Sequence, residues 1–193
     1  MTWKPDYVTL ADAKDYLNID DTSDDVEIAL WITAASRAVD DKTKRQFGKA
    51  ASAVARTYRK PAFYDPELCL WVVEIDDVQD TTGLLVGGVA YASSGAVLLS
   101  DNAALDGVPY ERLGFTSCPT APLVLTAAFG WSAVPPQVPA AVRIQLGRWN
   151  FRRTAPAGVA GSPDQGSEVR LLAKLDPDVG TSLVGLSRRV RPY

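Results

Sequence analysis

The chain is 193 residues long, and 47% of its residues are hydrophobic and 22% are charged. This composition is typical of a soluble globular protein, and the length fits one structural domain that buries a substantial core. The sequence contains no histidine. Catalytic sites that depend on an imidazole base, such as the Ser-His-Asp triad, are therefore excluded, as are metal sites with imidazole ligands.

The two cysteines, Cys69 and Cys118, do not form the CxxC motif of zinc clusters and thioredoxin-type redox sites. We expect both to be free thiols in a reducing compartment. The first ten residues lack the basic and apolar regions of a signal peptide, and the longest apolar runs are shorter than the about 20 residues of a membrane-spanning helix. We therefore expect an intracellular protein that has no membrane partner.

The net charge of −3 is distributed unevenly along the chain. Nine basic and four acidic residues lie between Arg143 and the last residue, which gives this quarter a charge of +5 and the remainder −8. The asymmetry indicates that the C-terminal part contacts a different partner from the rest of the surface.

The first helix is predicted to begin just after Thr9. Thr9 and Asp12 form the pattern of a capping box, in which the side chains at a helix start bond to each other's backbone. The helix should end near Asn18, because the run of aspartate, serine and threonine that follows favours turns and caps.

A longer helix is predicted from about residue 24 to about residue 46. Thr22 and Asp25 repeat the cap pattern at its start, and Gly48 is placed to end it, since glycine adopts the left-handed conformation without a Cβ clash. Apolar residues at helical spacing form its core-facing stripe: Ile28, Trp31, Ile32, Ala35, Ala38 and Val39. We assign the opposite face to charged residues: Arg37, Asp40, Asp41 and Lys44.

Short β-rich runs follow between about residue 53 and residue 129, separated by glycine, proline, serine and aspartate. We expect them to form one small, mostly antiparallel sheet. The segment GLLVGGVA superficially resembles a phosphate-binding loop, but it lacks the lysine and the serine or threonine that such a loop requires. We therefore interpret Gly87 and Gly88 as the turn of a β-hairpin.

Clusters of acidic residues are the remaining candidates for chemistry. The run from Asp20 to Asp25 lacks the glycine and glutamate spacing of a calcium-binding loop, so we interpret it as a solvated helix cap. Glu74, Asp76 and Asp77 follow an apolar strand, and strand alternation would place Glu74 and Asp76 on one face, as a histidine-free glycosidase would need. A solvated strand end is the more common origin of this pattern. We predict no catalytic, cofactor-binding or metal-binding residues, and no enzyme.

A third helix is predicted after Pro136. One of its apolar stripes contains Val138, Val142, Leu146 and Trp149, and the second contains Ile144 and Phe151. Two stripes indicate that the helix is covered from two directions, either by the chain's own helices and sheet or by a neighbouring subunit. The sequence leaves both alternatives open. For the second alternative, the predicted subunit interface consists of Ile144, Arg148 and Phe151.

The end of the chain is predicted to contain an arm and a last helix. Residues 154–167 are rich in small residues and proline, which favours a flexible arm. Asp176 followed by Pro177 predicts the cap and first turn of a short helix that runs through Leu183 and Leu186 to Arg188 and Arg189. The basic terminus RRVRPY could contact an acidic patch of a protein partner or, more weakly, nucleic acid.

Together these elements predict an α+β fold: a helical bundle of about four helices, two N-terminal and two C-terminal, with an inserted small antiparallel β-sheet. We expect one structural domain overall. Its parts are an N-terminal helical pair (1–50), a β-rich insertion (51–130), a third helix packed on the N-terminal pair (131–153), and a flexible arm with the C-terminal helix (154–193).

The order of these elements resembles that of the head-tail connector, or adaptor, proteins of tailed bacteriophages. One stretch that carries the resemblance is TLADAKDYLNIDDTSDDVEIALWITAASRAVDDKTKRQFG, at residues 9–48. The other is LVLTAAFGWSAVPPQVPAAVRIQLGRWNFRR, at residues 123–153. The terminal LDPDVGTSLVGLSRRVRPY is also similar to the short last helix of such proteins.

The resemblance implies a non-catalytic structural protein of the virion neck, assembled in the bacterial host cytoplasm. It implies a homo-oligomeric ring, commonly of twelve subunits, that docks on the portal protein and extends the DNA channel. Double-stranded DNA would pass through this ring without sequence-specific binding. The ring would also present a platform for the next neck or tail protein, such as a stopper or a tail terminator.

Within this resemblance, we predict portal contact by the C-terminal residues Leu183, Leu186, Arg188, Arg189 and Arg191. We expect that deletion of residues 176–193 leaves the fold intact and abolishes portal binding. Two other classes remain open. One is a different phage neck or tail component with more β structure, and the other is a histidine-free enzyme or ligand-binding protein with a deep pocket lined by Glu74 and Asp76.

Overall fold

The computed structural model of the protein describes residues 4–100, 103–154, 159–160, 169–170 and 175–188. The fold is α+β, as predicted, and the chain divides into two compact units. The helical unit contains residues 4–45 together with the chain from residue 134 onward, and the β unit contains residues 46–133. The β unit is therefore inserted between the two stretches of sequence that form the helical unit.

The first helix, α1 (Leu10–Leu17), begins and ends as predicted. The Thr9 hydroxyl oxygen accepts a hydrogen bond from the backbone N–H of Asp12 (3.2 Å) and the hydroxyl donates to the Asp12 carboxylate (2.7 Å). Asn18 adopts the left-handed conformation with φ 55°, and its backbone N–H bonds back to the carbonyl of Asp15. Local side-chain chemistry thus defines both ends of this helix.

The second helix, α2 (Asp25–Thr43), begins where it was predicted to begin, but its cap differs and it ends earlier than predicted. Its N-cap residue is Asp24, which makes no side-chain cap hydrogen bond, so the predicted cap pattern at Thr22 is wrong. At the other end Lys44 adopts the left-handed conformation with φ 57°. Gly48 also has a positive φ, 83°, but it lies beyond the helix and does not cap it.

A tertiary contact explains why α2 ends early. The backbone N–H of Arg188, near the end of the chain, donates to the carbonyl of Thr43 (2.8 Å). The Thr43 hydroxyl donates to the carbonyl of Val39 (2.9 Å). Carbonyl groups of the last turn are therefore satisfied by the distant C-terminal segment and by a side chain, and not by a glycine cap.

The core of the helical unit lies among α1, α2, α4 (Gln137–Thr154) and α5 (Pro177–Ser182). α4 contacts each of the other three helices. The predicted core-facing stripe of α2 is buried at Ile28, Ile32, Ala35 and Val39, whereas Trp31 and Ala38 are half-buried. Fully buried side chains from α4 and from the end of the chain complete this core: Val138, Val142, Leu146, Val179 and Leu183.

The β unit contains two four-stranded antiparallel sheets, and not the single sheet that was predicted. One sheet has the order β1-β8-β4-β5, with β1 (Val54–Tyr58), β4 (Leu85–Val86), β5 (Val89–Ala90) and β8 (Leu123–Ala127). The other has the order β2-β3-β7-β6, with β2 (Phe63–Asp65), β3 (Leu70–Val78), β6 (Val97–Leu99) and β7 (Tyr110–Phe115). A short helix, α3 (Ala103–Asp106), precedes β7.

One hydrophobic core joins the two sheets of the β unit. It includes Val73 and Ile75 from β3, Leu113 from β7 and Leu125 from β8. Several strands are only two or three residues long, so their apolar runs indicate strand formation without specifying a partner strand. This explains why the sequence predicted the strands but not their division into two sheets.

The hairpin prediction for the glycine-rich segment is confirmed. β4 pairs with β5 through Leu85 opposite Ala90 and Val86 opposite Val89. The two residues between them, Gly87 and Gly88, have φ values of 59° and 82°. A two-residue turn with two positive φ values matches the right-handed twist of a hairpin, and glycine adopts it without strain.

Part of the predicted arm is also β structure. β9 (Val159–Ala160) pairs in antiparallel fashion with β10 (Val169–Arg170). Thr154, the first residue of the predicted arm, is instead the last residue of α4, and residues 155–158 and 161–167 lie outside the described residues.

The segments by which the chain enters and leaves the β unit are bonded to each other. The backbone N–H of Trp131 donates to the carbonyl of Gly48 (2.9 Å), and the N–H of Ala50 donates to that of Phe129 (2.9 Å). The Trp131 indole N–H donates to the buried carboxylate of Asp77 on β3 (3.0 Å). The Phe47 ring packs against the Trp131 ring with 5.3 Å between centroids.

Gly130 is required at this crossing, and we expect the Gly130→Ala substitution to be strongly destabilising. Its φ is +116°, and an added Cβ would lie 2.0 Å from the carbonyl oxygen of Gly48. We predict that the free energy of unfolding, measured by urea denaturation, falls by at least about 2 kcal/mol.

Gly180→Ala is the matched control. Gly180 lies in α5, and nothing is within 4 Å of an added Cβ. The control should be neutral or stabilising by up to about 1 kcal/mol, since alanine favours helix over glycine. Equal stability of the Gly130 and Gly180 variants would contradict the prediction.

Candidate functional site

The acidic residues at the end of β3 have partners within the chain. The Asp76 carboxylate accepts a hydrogen bond from the Tyr58 hydroxyl (3.0 Å) and pairs with Arg56 (2.7 Å). Burial, reinforced by the charge of Asp76, raises the pKa of Tyr58 above its ordinary value. Glu74 and Asp76 are both half-buried, whereas Ile75 and Asp77 are buried, so the predicted alternation holds here and the pairing register shifts before Val78. These carboxylates stabilise the β unit.

The aspartate-rich turn before α2 takes part in helix ends and ion pairs. Asp21 accepts hydrogen bonds from the backbone N–H of Ser23 (2.9 Å) and from its hydroxyl, and these bonds lower the pKa of Asp21. Lys14 of α1 pairs with Asp25 (2.7 Å). Within the described ranges, no group of three or more histidine, cysteine or acidic residues is arranged to hold a metal ion.

Arg153 joins the last turn of α4 to the start of α2. Its guanidinium pairs with Asp24 (2.6 Å) and Glu27 (3.1 Å) and lies over the Trp31 ring, 5.5 Å from the centroid. The hydrogen bond from Arg153 lowers the pKa of Asp24, and the same bond raises the pKa of Arg153. Single exposed ion pairs contribute little. Three contacts to one guanidinium, however, hold the end of α4 at the point where the chain leaves it.

A second ion pair holds α5 on α4. Arg148 pairs with Asp176 (2.8 Å), and the side-chain carbonyl of Gln145 accepts from the backbone N–H of Asp176 (3.0 Å). Asp176 is also the N-cap of α5, as predicted, because its carboxylate accepts from the backbone N–H of Asp178 (2.9 Å). That hydrogen bond, followed by the one from Arg148, lowers the pKa of Asp176.

The predicted subunit-interface residues therefore differ in their surroundings. Arg148 bonds within its own chain, and Ile144 is half-buried. Phe151 is 53% exposed. Because α4 contacts α1, α2 and α5, the chain's own helices account for much of the covering that the two apolar stripes indicated. A role for these three residues between subunits remains a prediction.

The predicted portal-contact residues are partly buried. Leu183 is fully buried, Leu186 is half-buried, and the backbone of Arg188 bonds to α2 as described above. Val184, beside them, is 71% exposed. Arg189 and Arg191 lie outside the described residues.

The burial of the last helix corrects one expectation. Deletion of residues 176–193 would remove the fully buried side chains of Val179 and Leu183 from the helical core. It would also remove the partner of Arg148. The expectation that the fold survives this deletion is therefore wrong, because the last helix belongs to the core.

An apolar surface on α2 was missed by the sequence analysis. Val26 and Leu30 are 79% and 66% exposed, and Ala34 follows them on the same line of the helix. Spacing of four residues along the face opposite the core stripe was the signal that could have revealed it.

Two of the four charged residues assigned to that face, Arg37 and Asp40, contact the N-terminal segment. Asp40 accepts a hydrogen bond from the Tyr7 hydroxyl and pairs with Arg37 (3.1 Å). Arg37 also donates to the carbonyl of Pro5. Burial raises the pKa of the Asp40 carboxyl above its ordinary value. These charges tie the N-terminal segment to α2, and the apolar line from Val26 to Ala34 remains exposed beside them.

The Arg153 contacts can be tested by titration. We predict that Arg153→Met raises the pKa of Asp24 back towards its ordinary value of 3.8, because the hydrogen bond and positive charge that lower it are lost. In the unchanged protein, the ion pair stabilises the fold fully when the pH is above the ordinary aspartate pKa of 3.8. This stabilisation is lost as the pH falls through the lowered pKa of Asp24. Side-chain carboxyl NMR titration measures both values.

Asp176 is the internal control for this titration, since its partner is Arg148 and not Arg153. Its lowered pKa should be unchanged in the variant. An Asp24 pKa that is the same with and without Arg153 would show that the contact is not formed in solution.

Among the described residues, no helix has the length and apolar composition to cross a bilayer.

Comparisons with known proteins were consistent with one family. Residues 7–75 match the family model of the phage gp6-like head-tail connector protein. No curated protein matches the chain.

Two solved structures have similar folds. A chain from the neck of an empty gene transfer agent particle, computed with C6 symmetry, is 20% identical with a TM-score of 0.55, over 100% of this chain and 95% of that chain. A chain from the virion of a native gene transfer agent particle is 18% identical with a TM-score of 0.50, over 96% and 91%. The family match contains the whole of the first stretch on which the resemblance depended, residues 9–48, and over residues 7–75 the chain is similar to the head-tail connector proteins of bacteriophages.

Proposed function

We propose that the protein is a structural component of the virion neck, a head-tail connector that forms a ring docked on the portal protein. The observation that carries this proposal is the match of residues 7–75 to the connector family. The fold likeness over the whole chain to a chain from a particle neck supports it. The ring extends the DNA channel and presents a platform for the next neck or tail protein. Assembly takes place in the cytoplasm of the bacterial host.

The proposed ring contains twelve subunits. A closed ring of identical subunits needs a heterologous interface, in which one face of each subunit meets a different face of the next. The C6 symmetry used for the neck that contains the similar chain is compatible with twelve copies, since twelve is a multiple of six. In this proposal the four helices of the helical unit act as a bundle, stabilised by the Arg153 and Arg148 contacts, that carries the ring.

The C-terminal segment is the proposed portal contact. Val184 is exposed, and basic residues follow it at Arg188, Arg189 and Arg191. The buried side chain of Leu183 anchors this segment to the helical core. An anchored segment with an exposed apolar side chain, followed in the sequence by arginines, suits an acidic patch on a protein partner. Leu186, half-buried, forms the edge of the same surface.

The proposed role needs no catalysis and no sequence-specific DNA binding. Asp76 and Asp77 have partners in the β unit, so they act there as structural groups. The β unit contains five basic and nine acidic residues, a balance that would repel DNA passing nearby and let it slide.

The mass of the assembled protein tests the ring. Light scattering of the purified protein, alone and mixed with the portal from the same genome, should give either a ring near twelve times 20.8 kDa or a monomer that joins the portal stoichiometrically. A monomer that does not bind the portal would contradict the proposal and favour a different neck or tail component.

Removal of residues 189–193 tests the portal contact without removing the buried Leu183 or the backbone contact of Arg188. We predict that portal binding weakens by roughly tenfold or more, because charge-assisted contacts are lost. The melting temperature should be unchanged, and binding by the full chain should weaken as salt increases. Arg59→Ser, an exposed change in the β unit, is the control for loss of positive charge. Undiminished co-sedimentation of the shortened chain with portal rings would contradict the assignment.

A further inference from the structure

α2 presents a second apolar face on the side away from its helical partners. Ile28 is buried in the core, and Leu30, two residues later, points about 160° around the helix from it. Val26 and Ala34 lie one turn before and one turn after Leu30 on the same line. The core-facing side of α2 packs on α4, so this line faces away from α4.

The surroundings of this face are acidic. Next to it runs a shallow groove of about 440 Å³, lined by residues 6–10 and Asp12 together with Ala29 and Ile32 of α2. Ala29 neighbours Val26 on the helix surface, so the groove continues the apolar line. Between residues 6 and 27 the chain has eight acidic residues and one lysine.

A second exposed apolar side chain lies on the opposite side of the α2–α4 pair. Arg153 reaches from α4 to α2, and Phe151, two residues earlier, points about 160° away from it. One turn before Phe151 on the same face, an added Cβ on Gly147 would lie 3.4 Å from the ring of Tyr16, so α1 covers the helix there. Beyond this cover Phe151 is exposed.

The charges of α4 complement those around the α2 face. α4 contains four arginines and no acidic residue. Arg143, Arg148 and Arg153 form ion pairs within the chain, and the fourth, Arg152, follows Phe151 directly. The chain therefore carries an apolar face with an acidic border and, on the opposite side of the same helix pair, an apolar side chain on a basic helix. These two surfaces differ from each other, as the two halves of a heterologous contact must.

We propose that the outward face of α2, formed by Val26, Leu30 and Ala34, is the docking surface for a second copy of this chain, which contributes the outward face of α4 around Phe151. The inference rests on the proposed ring and names the contact that builds it. Because the two surfaces lie on opposite sides of the helix pair, each subunit binds one neighbour on each side. Repetition of this contact closes a ring if the rotation between subunits permits it.

The size of the face fits the centre of an interface. From Val26 to Ala34 the line is about 12 Å long, whereas a stable interface usually buries about 800 Å² on each partner. The apolar line therefore supplies the dry centre, and the acidic groove with Arg152 of the neighbouring α4 supplies the polar rim. Opposite charges at the rim favour the head-to-tail orientation. In a symmetric dimer, in which two α2 faces pack on each other, the acidic borders would repel.

Two variants test the contact. One changes the α2 face and the other changes the α4 face. Val26→Glu with Leu30→Glu changes the α2 face, and Phe151→Glu changes the α4 face. All three side chains are more than half exposed, so the fold should be retained, which circular dichroism and thermal unfolding can verify. Light scattering measures the mass of each variant alone, of an equimolar mixture, and of each with the portal.

We expect each variant alone to lose the ring and remain near 20.8 kDa. The mixture should form a one-to-one dimer and nothing larger, because one intact α2 face and one intact α4 face remain in every pair. On the portal, each variant should bind with fewer subunits than the unchanged protein. Val89→Glu with Val97→Glu, which changes two side chains of the β unit that are 48% and 47% exposed, is the matched control and should assemble normally.

Other results would overturn the inference. Rings formed by either variant alone would show that the changed face is not in the interface, and a mixture that stays monomeric would show that the two faces do not meet. Loss of assembly in the β-unit control would show that added charge alone prevents it. An unchanged protein that assembles but ignores the portal would contradict only the proposed function. An unchanged protein that stays monomeric with and without the portal would contradict both.

Discussion

The fold depends on the crossing of two segments at Gly48 and Gly130. The β unit is an insertion between α2 and α4, and such an insertion is tolerated when its two ends lie together. Backbone hydrogen bonds join the incoming and outgoing segments, and the Trp131 indole bonds to the buried Asp77 carboxylate of β3. Only glycine fits at position 130, where the backbones are too close for a Cβ. With its ends joined, the insertion lets residues far apart in the chain form one helical unit.

Within the helical unit, arginines of α4 determine which surfaces remain outside. Arg153 binds the start of α2 and Arg148 binds the start of α5. These contacts use side chains that the sequence alone would assign to solvent or to a partner. They hold α2 and α5 on α4, and they leave the outer line of α2 and the region of Phe151 exposed. The proposed ring needs a stable subunit with two different exposed faces, and these are the faces that the proposal uses.

Part of the candidate site could be predicted from sequence, and part could not. Phe151 was identified from its position on the second stripe of α4, and it is exposed. Leu183 lies on the short last helix, and the sequence could not indicate that this helix packs into the core. The outer line of α2 was overlooked because the charges of Arg37 and Asp40 lie near it. Both of these side chains turn towards the N-terminal segment, and only long-range contacts show this.

By itself, the sequence determined features that arise from local chemistry. The Thr9 cap and left-handed Asn18 set the ends of α1, the Gly87–Gly88 pair set a hairpin, and helical spacing identified the core side of α2. The order of the elements also resembled the connector family, whose model matches residues 7–75. The tertiary structure alone decided where α2 ends, how the strands divide into two sheets and which aspartates form ion pairs. Each of these depends on a partner distant in the chain, and such a partner leaves no periodic signal in the residues that it contacts.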